Sequence, residues 1–231
     1  YGLVVDSTGQ LYTSSYNRNT LARFNTVTDT WEAVYVHGGS QCSYGIAVDG
    51  DDRIWLGGWP NCGGVVMFDP VDRRFHTFIV PSTVGPSSPS GDPTPVETAT
   101  AIVNSGVSGT GGASRFYVTG VGVEPATGNV WCSFYPIGYT GRLAVNDADP
   151  NYAGSTWTLI GTTRNSDNSY LSGVGSDLRG VGFDHRGNAW TLGLASSNVF
   201  KLDPVTNQRS TTMPTGKAIG VGTHYTYLDF T

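Results

Sequence analysis

The stretch that decides the fold reads Tyr44-Gly45-Ile46-Ala47-Val48-Asp49. Tyr44 and a glycine precede a short apolar run, and an acid ends the run before a turn. Apolar residues that alternate or run in fours, without the 3.6-residue period of a helix, predict a short buried β-strand. The chain continues through Trp55, Phe68 and Phe75, each in a further apolar run bounded by turn residues.

The same pattern returns along the chain. Further copies open at Tyr1–Asp6, Thr119–Glu124 and Arg179–Asp184, and a shortened copy opens at Ile219-Gly220-Val221-Gly222. Aromatic or apolar residues follow at matching places, namely Tyr12, Phe24, Trp31, Trp131, Val145, Trp157, Trp190 and Leu202. Four short strands in a repeat of about 40 residues are the signature of a β-propeller blade.

We therefore predict an all-β fold, a β-propeller of four-stranded antiparallel blades. In the second copy, the predicted strands are Gly45–Val48, Arg53–Gly57, Val65–Phe68 and Arg74–Val80. Residues 1–231 form one unit of four complete repeats and a partial fifth, with blades at about 1–36, 44–80, 119–160, 179–213 and 219–231. Because the last copy stops at a second strand, we expect a fragment of a larger ring or missing strands supplied by another chain.

Two insertions separate the copies, at about 81–116 and 161–178. Each follows a fourth strand and precedes a first strand, so both are expected on the face that also bears the turns between second and third strands. Thr98–Val103 and Arg115–Val118 are candidate extra strands within the larger insertion.

The composition and the cysteines limit the binding partners and the cellular location that the sequence allows. The net charge of −5 and the scattered Lys and Arg residues argue against a surface that binds nucleic acid. No apolar stretch approaches the ~18–20 residues of a membrane span. Cys42 and Cys62 flank one repeat on the insertion-bearing side, which predicts a disulfide and an exported, extracellular or periplasmic protein. Cys132 is expected to be a buried thiol.

The recurring residues have structural explanations. Each acid that closes a first strand precedes a turn whose backbone it can bind, so we interpret Asp6, Asp49, Glu124 and Asp184 as turn acceptors. The aromatic residues at the second-strand register, Tyr12, Trp55, Trp131 and Trp190, are expected to pack between neighbouring blades.

Polar and aromatic residues outside the repeat carry the functional signal. On the insertion-bearing face they are Tyr1, Tyr44 and Arg179 at first-strand entrances, Asn17, Arg18, Trp59, Tyr135 and Tyr139 at turns, and Tyr170 and Asp177 in the second insertion. An opening lined by such residues suits a sugar, a peptide or another polar ligand, because ring faces stack and planar polar groups orient. We predict ligand contacts at Tyr1, Arg18, Tyr44, Trp59, Tyr135, Tyr139 and Arg179.

The motif Gly45-Ile46-Ala47-Val48-Asp49 with Ile54-Trp55, and its copy at Gly180–Asp184 with Trp190, resembles the NHL-repeat and streptogramin-lyase-like propellers. Membership of the lyases would imply catalytic His and Glu residues with bound Mg²⁺. The four histidines, His37, His76, His185 and His224, occupy no equivalent places in their blades, and none of the three glutamates lies in the sequence context that the lyases would imply. This departure argues against that chemistry here.

The sequence therefore favours an exported, non-catalytic propeller that binds a carbohydrate, peptide or protein partner through its loop-rich face. No cofactor is expected; Ca²⁺ or Mg²⁺ held by acids such as Asp49, Asp51 and Asp52 or Asp147 and Asp149 stays an open alternative. Two further alternatives stay open: a metal-dependent enzyme of the streptogramin-lyase-like or lactonase-like kind, and a structural extracellular repeat protein.

Overall fold

A computed structural model describes residues 2–15, 19–36, 44–58, 63–81, 96–105, 116–164, 177–193, 198–210 and 217–218. These residues form β-strands and no helix. The strands are β1 Leu3–Val5, β2 Gln10–Ser15, β3 Thr20–Asn25, β4 Thr30–Val36, β5 Ile46–Val48, β6 Ile54–Gly57, β7 Gly64–Asp69, β8 Arg74–Ile79, β9 Val96–Thr100, β10 Ile102–Ser105, β11 Tyr117–Val123, β12 Val130–Tyr135, β13 Tyr139–Ala144, β14 Thr156–Ile160, β15 Leu178–Phe183, β16 Ala189–Gly193, β17 Asn198–Asp203, β18 Gln208–Arg209 and β19 Lys217–Ala218. Across these ranges, nothing resembles the long apolar helix that a membrane span requires.

The strands form four antiparallel sheets in chain order. The first is β1-β2-β3-β4, the second is β5 to β8 with β10 at its outer edge, and the third is β11 to β14 with β9 at its outer edge. The fourth is β15 to β18, and β19 also pairs with β17. The predicted all-β propeller class is confirmed, and the strands predicted for the second blade agree with β5 to β8 to within one residue at each end.

Neighbouring blades meet through their first strands and through rings. β1 packs on β5, β5 on β11 and β11 on β15. The ring of Tyr12 in the first blade lies 6.5 Å from the ring of Phe68 in the second, and the ring of Trp131 in the third blade lies 6.1 Å from that of Phe183 in the fourth, measured between centroids. The predicted packing between blades is confirmed for Tyr12, Trp55 and Trp131 and stays a prediction for Trp190, and Cys132 is a buried free thiol as expected.

The acids at the first turns bind the turn backbone and the following tryptophan. Asp49 Oδ1 accepts hydrogen bonds from the backbone N–H groups of Asp51 and Arg53, both at 3.0 Å, and Asp49 Oδ2 accepts one from Trp55 Nε1 at 2.8 Å. Asp184 repeats this arrangement with Trp190 Nε1 at 3.0 Å. The interpretation as turn acceptors is confirmed for Asp6, Asp49 and Asp184, whereas the Glu124 carboxylate accepts a hydrogen bond from Trp131 Nε1 at 3.1 Å.

The two faces of the disc differ in their turns. We call the face with these acid-bearing turns the lower face, and the face where β2, β6, β12 and β16 end the upper face. The first insertion begins and ends on the upper face, because Val80 N–H donates to Gly63 O and Val118 N–H donates to Gly58 O, both at 3.0 Å. These bonds confirm that the insertion leaves and returns beside the turn between β6 and β7.

Part of that insertion takes a course that the sequence did not predict. The single strand expected at Thr98–Val103 is divided into β9 and β10, which add to the outer edges of two different sheets, and Tyr117 and Val118 of the expected strand Arg115–Val118 belong to β11. β9 pairs with β14 from Val96 opposite Ile160 to Thr100 opposite Thr156, and β10 pairs with β8. The insertion therefore covers the rim of the second and third blades, because the outer edges of β8 and β14 offer backbone groups that an extended segment can satisfy.

A buried histidine lies within the second blade. The His76 side chain is buried on β8, and its ring meets the Tyr152 ring edge to face at a centroid distance of 4.8 Å. Burial lowers the pKa of His76, and the nearby Asp72 and Asp69 carboxylates oppose that effect. The folded protein therefore holds His76 neutral at a pH where the unfolded chain has begun to take up a proton.

We expect the free energy of unfolding to fall as the pH drops from about 6.5, the ordinary histidine pKa, through the lower pKa of folded His76. His76→Gln should flatten this part of the pH profile, because the titrating group is gone. His185→Gln is the control, since His185 lies exposed in a lower-face turn. Urea unfolding between about pH 5 and pH 7 measures the slopes; equal slopes for wild type and His76→Gln would contradict the prediction.

Candidate functional site

Four of the predicted ligand-contacting residues lie in the described part of the chain, and all four are at the upper face. Tyr44 precedes β5, Tyr135 ends β12, Tyr139 begins β13 and Arg179 lies in β15. Tyr1, Arg18 and Trp59, the flanking Asn17 and Tyr170, and the predicted pair Cys42–Cys62 lie outside the described residues. Their roles stay predictions.

Tyr135 and Arg179 are brought together where the third and fourth blades meet. The Arg179 guanidinium carbon lies over the Tyr135 ring, 4.6 Å from the ring centroid. Both residues are half-buried, so each keeps a solvent-facing part. The pair combines an aromatic surface with a planar, permanently charged hydrogen-bond donor.

The turn that carries Tyr135 is held from the side of the second insertion. Arg164 donates two hydrogen bonds to Ile137 O, from Nε at 3.2 Å and from Nη2 at 3.1 Å. Thr163 N–H donates to Gly138 O at 3.1 Å. These bonds fix the backbone between β12 and β13 and thereby the position of the Tyr135 ring.

Two of the predicted contact residues are placed differently from Tyr135. Tyr139 is 1% exposed and belongs to the core between the second and third blades, with the Arg164 guanidinium 5.7 Å from its ring centroid. Tyr44 is 8% exposed, and its backbone N–H donates to Gly57 O at 3.0 Å. Both side chains are therefore buried rather than presented to solvent.

The first strands are also tied together near the upper face. Thr119 Oγ1 donates to Leu178 O at 2.6 Å, which links β11 to the start of β15. In the fourth blade, Thr191 Oγ1 donates to Gly180 O at 2.9 Å. Arg179 follows Leu178 and precedes Gly180, so hydrogen bonds hold the backbone on both sides of it.

The lower face has a cavity of its own. A space of about 310 Å³ lies between the second and third blades, lined by Asp51, Arg53, Asp69, Val71, Asp147, Asp149, Pro150 and Tyr152. Arg53 lines this cavity and binds three acids: its Nε lies 2.7 Å from Asp49 Oδ2, its Nη2 lies 3.3 Å from Asp51 Oδ2, and its Nη1 binds Asp147. Burial lowers the pKa of Arg53, but the hydrogen bonds that it donates to Asp147 and Asp49, together with their negative charges, outweigh burial and raise the pKa above its ordinary value.

The described residues contain no group of three or more His, Cys, Asp or Glu side chains arranged to hold a metal ion. In the lower-face cavity, the Arg53 guanidinium binds Asp51 and Asp147, two of the acids that the sequence offered for Ca²⁺.

Sequence reasoning missed Arg53 and Arg164. Arg53 occupies the turn position that Gln10, Asn129 and Asn188 hold in the other copies, so a lone charge at a repeat position was an available signal. Arg164 had no such signal, because it lies in an insertion and its partner Ile137 is distant in sequence.

Comparison with known proteins supports the fold. No protein-family model and no curated protein sequence matches the chain. Among solved structures, the chain is similar to streptogramin B lyase, with a TM-score of 0.60 and 11% identity over 90% of this chain and 52% of that chain. It is also similar to a candidate gluconolactonase, with a TM-score of 0.56 and 14% identity over 96% and 64% of the two chains. A third is PorZ, a bacterial surface component of the type-IX secretion system of Porphyromonas gingivalis, with a TM-score of 0.54 and 13% identity over 90% and 26%. The chain thus spans about half the length of the lyase structure, and the expected resemblance to lyase-like propellers is confirmed at the level of the fold.

Proposed function

We propose that this chain is an exported, non-catalytic β-propeller that binds a carbohydrate, peptide or protein partner through its upper face. The observation that carries the proposal is the half-buried stack of Arg179 on Tyr135 where two blades meet. A ring face packs against the apolar face of a sugar or against a side chain, and a guanidinium binds carboxylates and hydroxyl groups through several N–H donors.

Preorganisation supports this assignment. The turn beneath Tyr135 is held by Arg164, and the carbonyl groups before and after Arg179 accept hydrogen bonds from Thr119 of β11 and Thr191 of β16. A contact surface that is already ordered loses little conformational entropy when a ligand arrives, so modest contacts suffice for measurable affinity.

The positions of two histidines favour binding over catalysis. His76 is buried on β8, the fourth strand of its blade, and His185 lies in an exposed turn of the lower face. Neither belongs to the surface around Tyr135 and Arg179. His37 and His224 lie outside the described residues.

The proposed location outside the cytoplasm has one external support. PorZ, which has the same fold, is a bacterial surface component. A disulfide between Cys42 and Cys62 would agree with such a location.

The alternative is a metal-dependent enzyme of the lyase-like or lactonase-like kind, which the shared fold keeps open because one fold hosts many chemistries. Metal analysis of the purified protein separates the two. Stoichiometric Mg²⁺ or Ca²⁺ together with an activity that chelation abolishes would favour the enzyme. A structural repeat protein would give neither a metal-dependent activity nor a bound ligand.

The binding proposal predicts that Arg179→Met and Tyr135→Ala each weaken ligand binding at least about tenfold, because each removes one half of the stack. Glycan and peptide arrays identify the probe, and titration calorimetry on the best hit measures the affinity of each variant. Arg186→Met is the matched control, since Arg186 is an exposed arginine on the lower face. An array without hits would overturn the proposal for a carbohydrate or a peptide, and a hit that all three variants bind as wild type does would overturn the assignment of the site to Tyr135 and Arg179.

A further inference from the structure

An arginine on the outermost strand of the fourth blade reaches back to the third blade. Arg209 lies in β18, and its Nη1 donates hydrogen bonds to Thr162 O at 2.7 Å and to Arg164 O at 3.0 Å. Arg209 is half-buried, and its strand partner Leu202 is fully buried. Because the Arg209 backbone is anchored in the sheet, a head group that binds two carbonyl groups fixes the segment that carries them.

The segment that Arg209 binds also holds the turn between β12 and β13. The Arg164 backbone carbonyl accepts a hydrogen bond from Arg209, while the Arg164 side chain donates two hydrogen bonds to Ile137 O. Tyr135 ends β12 immediately before this turn. Direct contacts therefore connect Arg209 of the fourth blade to the strand end that presents the Tyr135 ring.

The stack of Arg179 on Tyr135 joins the same two blades, so its geometry depends on how the two sheets are placed relative to each other. Near the first strands, the sheets are tied by the hydrogen bond of 2.6 Å from Thr119 Oγ1 to Leu178 O. A sheet held only along its first strand can still rotate about that strand, and a contact at its outermost strand opposes the rotation. The two bonds from Arg209 supply such a contact on the side of the second insertion.

We infer that Arg209 is a positioning residue for the binding site at Tyr135 and Arg179. The inference rests on the proposed function, because it assigns to Arg209 a share in the affinity of that site. Arg209 acts through Arg164 and the turn that Arg164 holds, not by touching the ligand. Without its two bonds, the ring and the guanidinium of the stack are less well aligned before binding, and the entropy lost in ordering them opposes binding.

A fluorine label on the Tyr135 ring tests the positioning without a ligand. With 3-fluorotyrosine incorporated at position 135 of the full chain, Arg179→Met removes the cation over the ring and defines the resonance of an unstacked ring. Arg209→Met should move the resonance towards that value, and Arg209→Lys should restore most of the wild-type value, because an ammonium group also donates to carbonyl oxygens. Arg142→Met is the matched control. Arg142 donates to Pro204 O at 2.7 Å between the same two blades at the lower face, so its loss should lower stability without moving the resonance.

Titration calorimetry on the best hit of the glycan and peptide arrays tests the effect on affinity. Arg209→Met should weaken this binding at least about fivefold, because the site is less ordered beforehand. In a Tyr135→Ala background the same change should weaken it less than about twofold, since the ring to be positioned is absent. A purely structural role of Arg209 would weaken binding equally in both backgrounds.

Circular dichroism shows whether each variant keeps the fold, and Arg209→Gln takes the place of Arg209→Met should the latter unfold. A resonance that stays at its wild-type value without Arg209, or that Arg142→Met moves as far, would overturn the inference. An unchanged affinity, or an equal loss of affinity in both backgrounds, would overturn it as well. A shifted resonance in a protein that gives no array hit would support the positioning and count against the proposed carbohydrate or peptide ligand.

Discussion

Gly120→Ala should lower the free energy of unfolding by about 3 kcal/mol, because the added methyl group has no room between the third and fourth blades. A Cβ on Gly120 would lie 2.6 Å from Arg179 O and 2.7 Å from the Cα of Gly180. Both are backbone atoms of β15, and backbone atoms cannot move aside by a change of side-chain rotamer. Relief therefore requires the two blades to separate along their first strands.

The matched control for this change is Gly50→Ala. No atom lies within 4 Å of a Cβ at Gly50, and the residue has no positive φ. This variant should be neutral or slightly stabilising, because alanine restricts the unfolded chain. Urea unfolding followed by tryptophan fluorescence measures both variants, and equal stabilities would show that the close approach of β11 and β15 is not required.

Removal of the Arg53 charge should have an effect of similar size. Arg53→Met keeps most of the aliphatic stem but leaves the Asp49 carboxylate, whose side chain is 1% exposed, without its cation. It also removes the link to Asp147 across the boundary between the second and third blades. We expect a loss of about 3 kcal/mol, the low end for breaking a buried ion pair, because Trp55 and two backbone N–H groups still bind Asp49.

Arg74→Met is the control for Arg53→Met, since Arg74 is exposed on the same blade and should change stability by less than about 0.5 kcal/mol. Adding Asp147→Asn to each background completes a double-mutant cycle. The Asp147 substitution should be costly with Arg53 present and neutral or favourable without it, because the lower-face acids then repel one another. Additive effects in the cycle would mean that the bond between the blades contributes nothing to stability.

Much of the fold was predictable because its signals are local. The apolar run Ile46–Val48, the acid Asp49 and the turn after it lie within a few residues of one another, and the hydrogen bonds from Asp51 and Arg53 to Asp49 are local as well. The packing of the second-strand aromatic residues between blades followed from the repeat, because a ring at the same position in successive blades meets equivalent neighbours in each. Cys132 was predictable for the same reason, because it lies in such a strand.

The candidate site was only partly predictable. The sequence placed Tyr135 and Arg179 on one face, but residue pattern alone carries no information on whether the two side chains touch. The stack depends on the spacing and the twist of two neighbouring blades. The burial of Tyr139 was missed for a similar reason, because core residues of the second and third blades and Arg164 of the second insertion enclose its ring.

By itself the sequence determined the repeat, the four antiparallel strands of each blade, the acid-bearing turns and the faces on which the insertions begin and end. These features depend on alternation and on turn chemistry, which act over a few residues. The tertiary structure alone decided that β9 and β10 join the edges of different sheets, that Arg53 meets Asp147 and that Arg179 stacks on Tyr135. Those contacts depend on which strand edges and side chains lie close together once the blades have packed. The periodicity of residues along the chain does not encode the distances between blades.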